Sequence, residues 1–392
     1  MGTGAHPARA GQSLAWRLAA FYAALFVALG VQLPFLPVWL AAKGLDASEI
    51  GVVLAIPMVV RVLAIPVATR AADRRDALRA AIVVTASAAV AGYAAVGVAE
   101  GALAIMATFA LASALYTPMM PLADAYAFRG LSRHGRAYGP VRLWGSAAFI
   151  AGSFAAGVLL DVIAARDLIW LIVAAMVLTT AAAGALAPLG PRGPGTLAAS
   201  PSAKRLWCDP MFVAVAAAAS LIQASHAIYY GFSTLDWQAA GLGGVTIGAL
   251  WALGVLAEIV LFAVSGRLPI GPTALLMIGA AGAVVRWSAM ALDPPLALLP
   301  LLQCLHALSF GATHLGALGF IARAAPGASA QGYLAIAQGL VMAGAMGLSG
   351  VLYARFGDSA YGAMAIAAGA GGLSAFAAHR LWRYQESVVS NQ

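Results

Sequence analysis

Five ionisable residues stand inside stretches that are otherwise apolar: Arg61, Asp124, Arg142, Glu258 and Arg286. A charged side chain at mid-bilayer costs about 2.5–3.5 kcal/mol even on the lenient insertion scale, so it faces a polar space and a partner. Any one of these charges, taken alone, reads equally well as a structural pairing. Five together, in a chain so poor in charge, point to a shared hydrated cavity. Three bases against two acids leave that cavity electropositive, which suits a solute carboxylate held by arginine through two parallel hydrogen bonds. Sugars also bind arginine, so carboxylate and sugar both stay open.

Further polar groups recur at helical spacing. Gln303, His306, Phe310 and Thr313 step by three or four residues and share a helix face, with His314 about a quarter turn away. Gln223, His226, Tyr229, Tyr230 and Ser233 form a second stripe. Such groups supply hydrogen bonds and, in histidine, a proton site near neutral pH. Trp237 and Trp251 flank a helix end where they could cover a solute, while Trp16, Trp39, Trp170 and Trp382 read as interface anchors. No HExxH, no cysteine pair at metal spacing and no GxxxxGK[ST] loop occurs, so neither a metal nor another cofactor is expected. Cys208 and Cys304 read as ordinary thiols in helix packing. An enzyme would need reactive groups converging near one interface, whereas the ionisable residues here lie at middle depth. No enzymatic activity is expected.

Long apolar helices must position these residues. The chain of 392 residues is 62% hydrophobic and 9% charged, where a soluble domain carries about 25% charged residues. Apolar windows of spanning length fall near 16–40, 48–69, 78–99, 102–127, 139–160, 168–188, 210–231, 245–265, 273–292, 297–321, 332–354 and 359–379. This predicts an all-α, multi-pass membrane protein of twelve helices. Placing both termini in the cytoplasm puts sixteen of the twenty-two Lys and Arg residues inside and only Lys43, Arg166 and Arg355 outside, with three in the spans. The net charge of +8 is then topological, and no nucleic-acid partner is expected. The Gly/Pro/Ser-rich stretch 190–209 reads as a cytoplasmic linker between six-helix halves at 1–189 and 210–392. Pro34, Pro37, Pro57, Pro66, Pro118 and Pro121 are expected to interrupt backbone ladders and bend their helices. Alanine abundance and twenty arginines against two lysines suggest a GC-rich bacterial source, hence a bacterial inner membrane.

Several segments resemble the phenylpropionate permease group of the major facilitator superfamily. They are PLADAYAFRGLSRHGRAYGPVRLWGSAAF from Pro121, HAIYYGFSTLDWQAAGL from His226, GVLAEI from Gly254 and QCLHALSFGATHLGA from Gln303. The group is related to lactose permease-type proton symporters, and the likeness covers nearly the whole chain. TRAADRRD is similar to the superfamily's first-loop signature, with Asp73, Arg74 and Arg75 in the matching positions, which implies a gating role for them. Asp124 and Arg142, 18 residues apart, look like the acid and arginine that bind sugar in lactose permease. Glu258 resembles its acid shared between sugar and proton, and Arg286 and His306, 20 apart, look like its arginine–histidine pair. Asp236 matches an acid paired there with a lysine, whose position is Gln303 here, and Ser309 stands where that permease has a glutamate.

The resemblance implies a monomeric transporter moving a small polar solute by alternating access, coupled to protons in symport. Solute is expected at Asp124, Arg142, His226, Tyr230, Trp237, Glu258, Arg286, Gln303 and His306. Glu258, then Asp124, with His306, are the expected proton carriers. Proton-antiport efflux of drugs or metabolites, or an uncoupled facilitator, are the alternatives.

Overall fold

The computed structural model describes residues 7–190, 206–267, 269–324 and 328–390, so most of the expected linker, 191–205, lies outside the described residues. Fifteen α-helices account for the described chain. They are α1 Pro7–Ala42, α2 Ala47–Arg74, α3 Leu78–Val98, α4 Ala102–Tyr116, α5 Met119–Ser132, α6 Gly139–Leu160 and α7 Leu168–Gly184. After the linker come α8 Pro210–Ala224, α9 Ala227–Ala239, α10 Gly244–Ser265, α11 Pro272–Met290, α12 Leu299–Cys304, α13 Thr313–Ala324, α14 Ala328–Phe356 and α15 Tyr361–Ser390. Among the described residues, eleven helical stretches are long and apolar enough to cross a membrane. The last, Ala330–Tyr384, is 55 residues long and takes in α14, a short 3-10 turn at Gly357–Ala360, and α15.

Three further stretches are also discontinuous. Ala102–Ser132 is interrupted at Thr117–Pro118, where proline has no N–H to continue the ladder. Pro210–Ala239 breaks at Ser225–His226 without any proline. There the His226 ring takes over the loosened carbonyls, with Nδ1 at 3.1 Å from the oxygens of both Ile222 and Gln223. Leu296–Arg323 widens into a π-turn at Ala307–Ala312, a feature that concentrates at functional sites. Of the prolines expected to interrupt backbone ladders, Pro118 coincides with a break, while Pro34 and Pro37 lie inside α1 and Pro57 and Pro66 inside α2, each removing one ladder bond there.

The chain forms two compact units. The first comprises Met1–Leu45, Val59–Gly195 and Trp237–Ala252. Its central element is α1, 72% buried across its most apolar window against 17% for α2. α1 crosses α6 closely: a Cβ on Gly30 would lie 2.5 Å from the Phe149 carbonyl oxygen, and the Ser153 hydroxyl donates to the Gly30 carbonyl at 2.9 Å. The second unit comprises Asp46–Met58, Thr196–Asp236 and Leu253–Gln392. Its core gathers Met211, Phe212 and Val215 of α8, Leu276 of α11, Phe320 of α13 and Leu334 of α14.

Candidate functional site

In the first unit the α1–α6 crossing brings together Tyr22, Phe26, Asp124, Tyr138 and Arg142. The hydroxyls of Tyr22 and Tyr138 both donate to Asp124 Oδ1, at 2.6 and 2.7 Å. The Arg142 guanidinium lies over the rings of Phe26 and Tyr22, with centroids at 4.0 and 5.5 Å. Tyr22 therefore touches the acid with its hydroxyl and the base with its face. Asp124 and Arg142, expected as a pair, are joined through this tyrosine. Neither Tyr22 nor Tyr138 stands out in the sequence, because tyrosines in apolar helices are common and only the crossing aims these two at one oxygen. We expect Tyr22→Phe and Tyr138→Phe each to lower stability by about 1–3 kcal/mol, the usual worth of a hydrogen bond to a charged group. The two losses are expected to be non-additive in thermal melts, because both donors share one acceptor.

In the second unit Arg286 is the hub. It is fully buried at 0% exposure, and its NH2 donates to Gln303 Oε1 at 2.8 Å. Its NH1 faces His306 Nδ1 at 3.1 Å and the Ser309 hydroxyl at 3.4 Å. The guanidinium lies over the rings of Tyr229 and Trp287, at 4.4 and 4.5 Å. Gln303 Oε1 also accepts from the Tyr229 hydroxyl at 2.8 Å. Two donors remain over: Arg286 Nε and Gln303 Nε2 are buried without a hydrogen-bond partner among the described residues.

Hydrogen bonding assigns roles to both histidines. His226 Nδ1 faces two carbonyls, so it carries the proton and Nε2 accepts from the Ser309 hydroxyl at 3.0 Å. His306 Nδ1 faces an arginine N–H, so it accepts, and Nε2–H points at Glu258 Oε2 across 3.8 Å. That gap is too long for a hydrogen bond and short enough for a rotamer change to close. Glu258 finds room because Gly311 opposes it, where an added Cβ would lie 3.3 Å from Glu258 Cγ.

The helix face expected from α-helical spacing is rearranged here. His306, Phe310 and His314 stack in one column, at 5.1 and 6.1 Å with rings within 13° of parallel. Thr313 instead packs on Gly279 of α11 and donates to the Ser309 carbonyl at 2.9 Å. The cause is the π-turn, which takes more than four residues per turn and so aligns positions four apart. From the other stripe, His226 and Tyr230 stack at 5.6 Å, while Ser233 is spent locally on the Tyr229 carbonyl.

Trp237 belongs to the first unit, buried against Trp251 at 6.5 Å. Around the first loop, Asp73, Arg74 and Arg75 are exposed, and the anchoring pair is their neighbour Asp76 with Arg129, a two-pronged contact. Arg129 also donates to the Gly190 carbonyl at 2.7 Å. Asp76 takes a positive φ of 45° to turn the chain, which aims its carboxylate at Arg129. Such an effect of backbone conformation has no signature in residue type.

Long apolar helices, two of them broken around a buried arginine and its histidines, define a multi-pass membrane protein of the transporter class. The chain matches the model of the MFS_1 like family over residues 15–363, and it belongs to that family of major facilitator transporters. It is 35% identical over 374 residues to the probable 3-phenylpropionic acid transporter of Escherichia coli (strain K12), across 91% of this chain and 96% of that protein. It is 32% identical over 315 residues to the maltose permease of Geobacillus stearothermophilus, across 78% of each. Its fold is that of the nucleoside transporter NupG, with a TM-score of 0.75 at 17% identity, covering 95% of this chain and 99% of that one. The chain is a transporter of this superfamily and not an enzyme.

Proposed function

We propose that the chain imports a small aromatic carboxylate in symport with protons, by alternating access of two six-helix halves at 1–189 and 210–392. The observation that carries this reading is the pair of buried, unsatisfied donors at Arg286 Nε and Gln303 Nε2, set among the rings of Tyr229 and Trp287. An orphaned buried donor costs about 1–3 kcal/mol, and a carboxylate brings two acceptor oxygens that remove both penalties. The aromatic part of the solute would then lie among rings it can pack against. The likeness to a probable 3-phenylpropionic acid transporter supports the same solute class.

Likeness to a maltose permease favours a second reading, a sugar. Competition separates the two: excess 3-phenylpropionate should block labelled uptake, and maltose should leave it unchanged. Inhibition by maltose alone would reverse the assignment. On the proton side, Glu258 is the proposed carrier, reached through His306, with Asp124 as the second candidate. Glu258→Gln is expected to abolish accumulation against a gradient while equilibrative exchange of preloaded solute persists. Accumulation that survives the substitution would remove Glu258 from the coupling step.

Twelve spans with cytoplasmic termini, in a bacterial inner membrane, complete the proposal. A single helix of 55 residues would be roughly 80 Å long, over twice the hydrocarbon core, so the turn at Gly357–Ala360 supports two spans there.

A further inference from the structure

We propose that an anionic phospholipid binds in the cleft near the starts of α1 and α6, with its phosphate on Arg136 and its chains along the outer face of α6. The cleft has a volume of about 300 Å³, and its lining includes Gln12, Trp16, Arg136, Pro140 and Trp144. The loop that carries Arg136 is pressed against α1. A Cβ on Gly11 would lie 2.8 Å from the Cβ of His134 and 3.3 Å from Arg136 Nε. All of these residues belong to the first unit.

Other arginines at this end of the unit are already engaged. Arg17 donates to the Ala185 carbonyl at 2.9 Å, Arg129 holds Asp76, and Arg133 donates to the Gly190 carbonyl at 3.0 Å. Arg136 is exposed, enters no ion pair among the described residues, and has no acid beside it in the cleft lining. A guanidinium without a counter-charge offers a two-pronged seat for a phosphate, and the Gln12 amide adds a hydrogen-bonding group to the same lining.

The rest of the cleft selects a lipid over a soluble anion. Trp16 and Trp144 meet at 5.9 Å, yet they remain 58% and 50% exposed. Such rings sit at headgroup level in a bilayer, apolar body inward and N–H toward water. A volume near 300 Å³ admits a headgroup and little more, so acyl chains must lie outside the cleft. Trp144, Ala147, Ala151, Phe154 and Val158 supply their track, stepping by three or four along α6 and all exposed. That stripe runs about 21 Å, more than one leaflet's half of a hydrocarbon core of about 30 Å. Basic pockets between spanning helices are general seats for anionic headgroups.

The test uses the full-length transporter in detergent micelles doped with phosphatidylglycerol or phosphatidylcholine, each brominated on one chain to quench nearby tryptophans. Phosphatidylglycerol should quench the wild type at the lower mole fraction, and native mass spectrometry should retain it on the protein in preference to phosphatidylcholine. Arg136→Gln should weaken phosphatidylglycerol binding about fivefold, the contribution of one arginine near an anionic surface. Replacing Trp16 and Trp144 together by Phe should remove the lipid-selective part of the quenching. Arg323→Gln, at an exposed arginine of the second unit, should leave both readouts at wild-type values. Equal quenching of the wild type by the two lipids overturns the site, because the tryptophans then meet only bulk lipid. An equal loss in Arg323→Gln also overturns it, since the attraction is then diffuse surface charge. Protection from quenching by millimolar inorganic phosphate would make the cleft a seat for a free anion and overturn the lipid assignment.

Discussion

Replacing Arg286 by glutamine should lower solute uptake by about a hundredfold or more, from the loss of roughly 3 kcal/mol of charge-assisted hydrogen bonding. The side chain reaches Gln303, His306 and Ser309 through fixed prongs, and two aromatic rings hold its plane. Arg286→Lys should fail nearly as badly. A lysine ammonium is a compact point charge that cannot span three acceptors set around a planar fork. It would also leave His306 Nδ1 without the donor that fixes its tautomer. Uptake in proteoliposomes, with fluorescence size-exclusion to establish folding, checks both. A second readout is selectivity: the wild type should prefer the acid strongly over its amide, and Arg286→Gln should not. Full uptake by a folded Arg286→Lys variant would move solute recognition away from this residue.

The next largest effect is expected at glycines that let two helices touch backbone to backbone. In the first unit a Cβ on Gly157 of α6 would sit 2.2 Å from the Gly244 carbonyl oxygen, and a Cβ on Gly248 would sit 2.7 Å from that of Ser153. Asp161 closes this seam by accepting from the N–H groups of Gly244 and Val245 at 2.7 and 3.3 Å, capping the start of α10. The second unit repeats the device, with a Cβ on Gly350 of α14 falling 2.2 Å from the Ala47 carbonyl oxygen of α2. Gly157→Val and Gly350→Val must force their seams open, at about 1–3 kcal/mol or more of overpacking. If alternating access opens and closes these seams, that energy shifts the conformational balance by about 5–150-fold. Transport should then fall at least about tenfold, with solute binding retained in a thermal-shift assay. Equal loss of binding and melting temperature would mean the seams are static packing.

Much of this protein was legible before any helix was packed. Arg61, Asp124, Arg142, Glu258 and Arg286 stood out because a charge in an apolar run is costly wherever the run goes. Ten of the twelve apolar windows fall on separate helical stretches and the last two, 332–354 and 359–379, fall together in Ala330–Tyr384, since twenty apolar residues bury themselves in lipid independently of their neighbours. The spacing of Arg286 and His306 also held meaning, and their side chains meet at 3.1 Å. What the charges touch was decided by tertiary structure. Asp124 is held by two tyrosines, and Arg286 by a glutamine, a histidine and two rings, because helix crossings select those atoms out of many equivalent ones. The break at His226 and the π-turn after His306 are likewise invisible in composition. Each costs only a backbone bond or two, and at the first the His226 ring itself takes over the carbonyls of Ile222 and Gln223. Burial cost is a property of one residue and can be read along a sequence. A partner is a property of two residues in space, and only the packed helices determine it.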